Sequence, residues 1–346
     1  MDPVTQAALG GVMGELVLGR KLGWRGVAWG LGFGILPDLD LFLLPFVEEA
    51  ERIRVHRGLS HSIFAMVVAA LIFAKPLSLL HRRRGLTTKE AGWFVFLVWS
   101  THVLIDVFTS YGTQIYEPFS DERVAWSNFF IIDFFFTLPM LVGLIWILFR
   151  EPGSAERRRI MWRAFSLSCL YVVFSFVMKL WAIDQIKTRL ADEIPGGDVV
   201  SVAPTPFNTL LWRGLIETDE AYWATYWSPF DEKPGKYEFI PKQWDLLKKF
   251  EGQDHFESLK WFSKGHWVAR ELDDGKLVLV DVRFGEMRDL EEGKISPRFR
   301  WHLYFDEAGV MRAPRYVEEI DPKPMLELLL ERIRGKQDRW ESMKEF

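Results

Sequence analysis

SNFFIIDFFFTLPMLVGLIWILF, residues 127–149, carries a single charge, Asp133, before Arg150 closes it. A helix needs roughly 20 mostly apolar residues to cross the hydrocarbon of a bilayer, and this stretch meets that requirement best of any in the chain. Working outward, SIFAMVVAALIFAKPLSLL (62–80), residues 91–109 and residues 163–183 supply three further candidates. Residues 26–47 are largely apolar but contain PDLD, so a helix there should stop or break at Pro37. The stretch from Val4 to Leu18 is short, glycine-rich and includes Glu15. It suits a tightly packed, protein-covered helix or a re-entrant piece.

The basic residues orient these segments, because cytoplasmic loops carry an excess of Lys and Arg. Arg20, Lys21 and Arg25 separate the first two segments, and Arg82, Arg83, Arg84 and Lys89 the third and fourth. Arg150, Arg157, Arg158, Arg159 and Arg163 separate the fifth and sixth. Placing all three connectors in the cytoplasm predicts about six crossings with both termini outside. The fold class is therefore a polytopic α-helical membrane domain followed by a small α+β extramembrane domain. A formal charge of -4 gives no broad reason to expect nucleic-acid binding. With one cysteine, Cys169, neither an intramolecular disulfide nor a thiolate metal cluster can form within one chain. The start, MDPVTQAALG, lacks the basic n-region of a cleavable signal peptide.

The six-segment reading brings a polar set to one membrane face. Asp38 and Asp40 end the second segment, and His56 and His61 stand before and at the start of the third. His102 and Asp106 occupy the outer end of the fourth, and Asp133 lies about two turns into the fifth. His102 and Asp106, four apart, share a helix face. Gly58 lets the chain turn tightly, and Ser60 is a candidate cap for the third helix. Ionisable groups at such depth are expensive and usually mark function. Several carboxylates held together repel one another, and a divalent cation with imidazole and carboxylate ligands removes the repulsion. Zinc is the first choice, with manganese and iron compatible. Arg57, between the two histidines, can hold an anionic substrate or pair with a nearby carboxylate.

MDPVTQAALG (1–10), GILPDLD (34–40), HRGLSHS (56–62), STHVLIDVFTSYGT (100–113) and the aspartate after WSN, Asp133, together resemble the YdjM-like family of predicted membrane-bound metal-dependent hydrolases. The resemblance covers roughly the first 180 residues. It implies that Asp38, Asp40, His56, His61, His102, Asp106 and Asp133 form a metal centre or its immediate support. The family often has histidine after the opening threonine, where this chain has Gln6. Its hydrolase label is associated with a distant similarity to zinc phospholipases.

Composition changes after Asp184, giving a transmembrane metal-site domain (1–184), a turn-rich linker (185–209) and an extracytoplasmic α+β domain (210–346). Within the last, residues 242–262 read as helical, 277–288 and 298–309 as strands, and 322–336 as an amphipathic helix. Following the sixth crossing, this domain should lie on the side of the His/Asp set, in a multi-pass protein of a bacterial-type inner membrane. The expected function is metal-assisted hydrolysis of a lipid or other membrane-proximal ester, phosphoesters included, with membrane lipids as surroundings and a lipid or amphiphile as substrate. Asp106 or Asp133 would receive a proton from water, and His56 or His61 would be a ligand or a general acid–base. The competing class is a membrane transporter or metal-binding scaffold. No protein partner is legible.

Overall fold

The computed structural model describes residues 1–289, 294–316 and 322–342. The chain divides into two compact units, each taken by itself.

The first unit comprises Met1–Val47, Arg54–Val177 and Pro206–Asn208. Helix α1 (Pro3–Leu22) starts from Asp2, whose carboxylate accepts from the Val4 and Thr5 amides, and α2 (Trp24–Ile35) returns against it. The two pack backbone to backbone. A Cβ built on Gly14 would lie 2.2 Å from the Gly26 carbonyl, and one on Gly30 2.1 Å from the Gly10 carbonyl. Small residues at four-residue spacing are what let apolar helices approach this closely. Helical winding of the α type stops at Ile35, two residues before Pro37, and continues as a 3-10 segment over Leu36–Phe46. A short α3 (Arg52–Val55) and a 3-10 turn (Leu59–His61) lead into α4 (Ile63–Leu80). Ser62, not Ser60, caps α4 by accepting from the Ala65 amide. Helix α5 (Thr88–Val107) opens with a capping box between Thr87 and Glu90 and runs back along α4.

The sequence misleads most at 127–149. Only Phe134–Trp146 forms helix α6, extended by a 3-10 turn over Ile147–Phe149. Asp133 is its N-cap rather than an interior residue, accepting from the Phe135 and Phe136 amides. The resulting rod is about 24 Å long, short of the roughly 30 Å hydrocarbon core. Four helical stretches are long and apolar enough to cross a membrane: Trp24–Phe46, Ile63–Leu80, Thr88–Val107 and Ala155–Leu190. The expected six are thus four by length and composition among the described residues. The rod after Asp133 is too short, and α1 dilutes its apolar residues with glycine, Gln6 and Glu15. Glu15 is nonetheless matched, meeting Arg157 through Nε at 3.1 Å and Nη2 at 2.5 Å, both side chains buried.

Helix α7 (Ala155–Glu193) runs past the expected boundary at Asp184. Its last turns are built from good helix formers and carry an Arg189–Glu193 pair four residues apart. The second unit holds Glu48–Ile53, Met178–Thr205 and the chain from Thr209 onward. Residues expected to be a linker supply both the end of α7 and strand β1 (Asp198–Pro204), which opens an antiparallel sheet with β2 (Trp212–Glu217), β3 (Ala221–Trp227) and β4 (Glu238–Pro241). Ile186, Leu190 and Trp212 share a buried apolar cluster, which is why the helix continues.

Residues 242–262 divide into a 3-10 segment (Trp244–Phe250) and α8 (Asp254–Phe262), parted at Gly252, whose φ is +79°. A second sheet joins β5 (Trp267–Glu271), β6 (Leu277–Asp281), β9 (Arg300–Phe305) and β10 (Met311–Arg312), and β7 (Glu286–Asp289) pairs with β8 (Lys294–Pro297). Helices α9 (Pro322–Ile333) and α10 (Asp338–Glu341) complete the unit. The last four residues of the expected domain lie outside the described residues.

Candidate metal centre

Asp38, His61, His102 and Asp106 each offer one ligand atom, and the four atoms lie within 4.8 Å of one another. Three local features bring them there. The 3-10 segment after α2 carries Asp38, the turn before α4 carries His61, and the last turns of α5 carry His102 and Asp106 on one face. Gly58 matters here for space more than for φ, because a Cβ on it would meet the Arg54 and Val55 carbonyls at 2.8 and 3.0 Å.

Hydrogen bonding fixes what each donor presents. His102 Nδ1 lies 2.7 Å from the Gly34 carbonyl, which only accepts, so Nδ1 donates to it and Nε2 is the ring atom turned towards the group. Ser60 gives its hydroxyl proton to Asp40 Oδ2 at 2.8 Å and lies 2.8 Å from His61 Nδ1. The hydroxyl oxygen therefore accepts from that nitrogen, and Nε2 is the lone-pair atom of a neutral His61 ring. Asp106 Oδ1 is taken by Gln6 Nε2 at 2.9 Å and by the Arg57 guanidinium at 3.2 Å. Its other oxygen, Oδ2, is buried and, among the described residues, faces His61 Nε2 at 3.3 Å.

The four ligand atoms face each other. His61 Nε2 stands 3.1 Å from His102 Nε2, 3.2 Å from Asp38 Oδ1 and 3.3 Å from Asp106 Oδ2. His102 Nε2 stands 3.5 and 3.7 Å from the same two oxygens. With both rings neutral, two imidazole lone pairs and two carboxylate oxygens would meet at one centre, an arrangement that a divalent cation satisfies. A tetrahedron of ligands at 2.0–2.1 Å from an ion has edges of about 3.3–3.4 Å, which these separations bracket. The donor set fits a divalent cation, and two imidazoles with two carboxylates do not choose among zinc, manganese and iron.

The remaining expected residues fall in two classes. Asp40 and His56 stand one hydrogen bond outside the group: Asp40 approaches His61 Nδ1 at 3.5 Å and bonds His56 Nδ1 at 3.0 Å and the Arg57 amide at 3.1 Å. Arg57 is buried beneath the centre, donating to Thr109 at 2.8 Å and pairing with Asp106, the carboxylate-pairing alternative of the two that its position offered. Asp133 is not brought to the group. Its carboxylate is occupied by the α6 amides and by the Tyr171 hydroxyl at 3.0 Å. Sequence reading missed the Gly34 carbonyl and the positioning role of Gln6. The run of glycines four apart, Gly26, Gly30 and Gly34, was the available signal for the first.

The chain matches the family described as YdjM inner membrane protein over residues 1–182, the part that holds all four donors. Over 194 residues it is 26% identical to the Uncharacterized protein YfhP of Bacillus subtilis (strain 168), covering 54% of this chain and 54% of that one. The chain thus spans about half the length of the curated relative it matches. No solved structure matches it.

Proposed function

The chain belongs to the YdjM inner membrane protein family, and from that premise we propose that it is a metal-dependent hydrolase of a lipid or other membrane-proximal ester, phosphoesters included. The observation that carries the reading is the convergence of Asp38, His61, His102 and Asp106, whose ligand atoms lie within 4.8 Å of one another with three of the four residues buried. Asp38, His61, His102 and Asp106 would hold the cation. A divalent cation bound there lowers the pKa of water and stabilises negative charge on an ester oxygen. His56, with Asp40 on its Nδ1 and a side chain 22% exposed, is the group placed to exchange a proton with substrate or solvent. Gln6 and Arg57 hold Asp106 in place, and Ser60 and Gly34 fix the two imidazole tautomers.

The test is metal content together with turnover of phosphoester and carboxylic-ester amphiphiles by purified protein. Wild type should retain tightly bound metal and hydrolyse at least one substrate class. His61→Ala and Asp106→Ala should lose both metal and activity, while His56→Gln keeps its metal and loses turnover by about 10²–10⁴-fold. Full metal retention by both ligand variants would remove the centre. One observation favours a second reading, a metal-binding scaffold. Four protein donors already complete a tetrahedron, the count of a structural site, whereas catalytic sites keep a position open. Bound metal without turnover of any ester would establish that alternative.

For the membrane we propose the six-crossing arrangement, with α1 and the short rod Phe134–Phe149, accommodated by local thinning of the bilayer, as the two crossings beyond the four helices long and apolar enough to span it. It places residues 210–346 outside the cytoplasm in the inner membrane. A cysteine introduced in the 81–90 loop, in a Cys169→Ser background, should resist impermeant maleimide in intact cells. Labelling without permeabilisation would reverse the assignment.

A further inference from the structure

On the half of the α4–α5 hairpin away from the His/Asp group, small side chains between the two helices leave an open groove of about 400 Å³. Ala70 and Ala74 of α4 and Gly92 of α5 form its recessed floor, and Trp93 and Phe96 stand beside it. These positions follow helical spacing, so each helix gives the groove a single face. Trp93 is 55% exposed, whereas Ala74 is buried. Lys89, exposed and one turn before Gly92 and Trp93, lines the same groove. Gly92 and Asp106 are about 20 Å apart along α5, so the groove is separate from the candidate metal centre.

The charges at this end choose the occupant. From residue 63 to 96 the charged side chains are Lys75, Arg82, Arg83, Arg84, Lys89 and Glu90. The lone acid, Glu90, already has Lys21 at 2.7 Å from both of its oxygens. Cations beside an apolar slot match a ligand with a negative head and a hydrocarbon tail. A second copy packed on this face about a two-fold axis along the membrane normal would bring the two sets of arginines together, with like charges opposed. A zwitterionic lipid gains nothing from the net charge. We propose that this groove binds an anionic phospholipid, its acyl chain against Ala70, Ala74 and Gly92 and its phosphate at Lys89. The groove is within the size range of small-molecule sites, and each cation near an anionic headgroup is worth about a fivefold change in affinity. The inference does not depend on the hydrolase reading.

The test is native mass spectrometry of the full chain in mild detergent, with phosphatidylglycerol and phosphatidylcholine of identical acyl chains. Wild type should retain the former at least about fivefold better. A Cβ on Gly92 would meet the Ala74 Cβ at 3.4 Å, an ordinary contact. The first carbon of Gly92→Leu is therefore accommodated, and the rest of its side chain fills the slot. That variant should lose bound lipid of either kind by tenfold or more, with metal content as its folding control. Lys89→Gln, which leaves the slot open, should lower phosphatidylglycerol retention about fivefold and leave phosphatidylcholine unchanged. Equal retention of the two lipids by wild type, or undiminished binding by Gly92→Leu, would overturn the proposal. So would a wild-type dimer that Gly92→Leu converts to monomer, since the face would then join two copies.

Discussion

A methyl group added far from any ligand should weaken metal binding. In Gly30→Ala the new Cβ would fall 2.1 Å from the Gly10 carbonyl oxygen and 3.0 Å from the Gly14 Cα, both backbone atoms that cannot rotate away. Restoring van der Waals contact requires α1 and α2 to separate by about 1 Å. One turn beyond Gly30, the Gly34 carbonyl accepts from His102 Nδ1 at 2.7 Å, while α1 sends Gln6 to Asp106 Oδ1 at 2.9 Å. The helices cannot part by that distance without lengthening one or both bonds beyond useful range. Overpacking of this kind costs about 1–3 kcal/mol of stability. Losing an orienting bond to a ligand lowers metal affinity by about 10–100-fold. The assay is metal occupancy by elemental mass spectrometry across a chelator series, alongside thermal unfolding in detergent. Gly32→Ala is the control, since a Cβ there meets nothing within 4 Å. It should keep wild-type affinity and gain slightly in stability through lower chain entropy. If Gly30→Ala lowers the melting temperature yet keeps the wild-type chelator midpoint, the coupling of glycine seam to ligand geometry is refuted.

Two other outcomes are expected. Asp133→Ala should retain full metal occupancy while losing about 0.5–2 kcal/mol of stability, the value of a helix cap; metal loss in a folded Asp133→Ala protein would return that residue to the ligand set. In the second unit, burial pushes the Glu286 carboxyl up, but Arg213 at 2.5 Å, Arg288 and the Tyr226 hydroxyl outweigh it and hold it below its ordinary value. Its contribution is therefore complete above the unfolded carboxylate range and lost as pH falls through the folded value. Glu286→Ala should cost about 3–5 kcal/mol near neutrality by leaving Arg213 buried without its partner, and should flatten the acid limb of a tryptophan-fluorescence unfolding profile. An acid limb identical to wild type would show that another group sets it.

The legible part of this fold was its apolar run lengths, and the illegible part was where each run becomes helix. Residues 62–80 and 91–109 match α4 and α5 closely because their capping residues, Ser62 and Thr87, stand at the edges of the apolar stretches. Residues 127–149 differ because Asp133 sits inside the run and its carboxylate can satisfy amides only by starting a helix there. Hydropathy registers Asp133 as one charge in a span, whereas hydrogen bonding makes it a boundary. The convergence of Asp38, His61, His102 and Asp106 followed from spacing and segment order, which fix the level of each residue along its helix. Separating Asp40 and His56 from those four required the bonds of Ser60, a residue that sequence patterning had assigned to a helix cap. The change of composition also ended the membrane helix at Asp184, although Ile186 and Leu190 carry α7 into the second unit's core.

The four donors are unequal, and that inequality bears on function more than their number does. His61, His102 and Asp106 have side chains at most 1% exposed, and each is fixed by a bond from outside the group. Asp38 is 14% exposed, and among the described residues its polar contacts run to the group's own imidazoles, His61 at 3.2 Å and His102 at 3.5 Å. Three anchored donors and one tethered only to its neighbours make a tetrahedron with one yielding corner. Without Asp38, three protein donors, His61, His102 and Asp106, would remain to hold a cation, the number found in catalytic centres. Four donors are therefore compatible with hydrolysis as long as Asp38 gives way to substrate, and a scaffold requires that it stay. Metal content is the same in both cases, so ester turnover is the measurement that separates them.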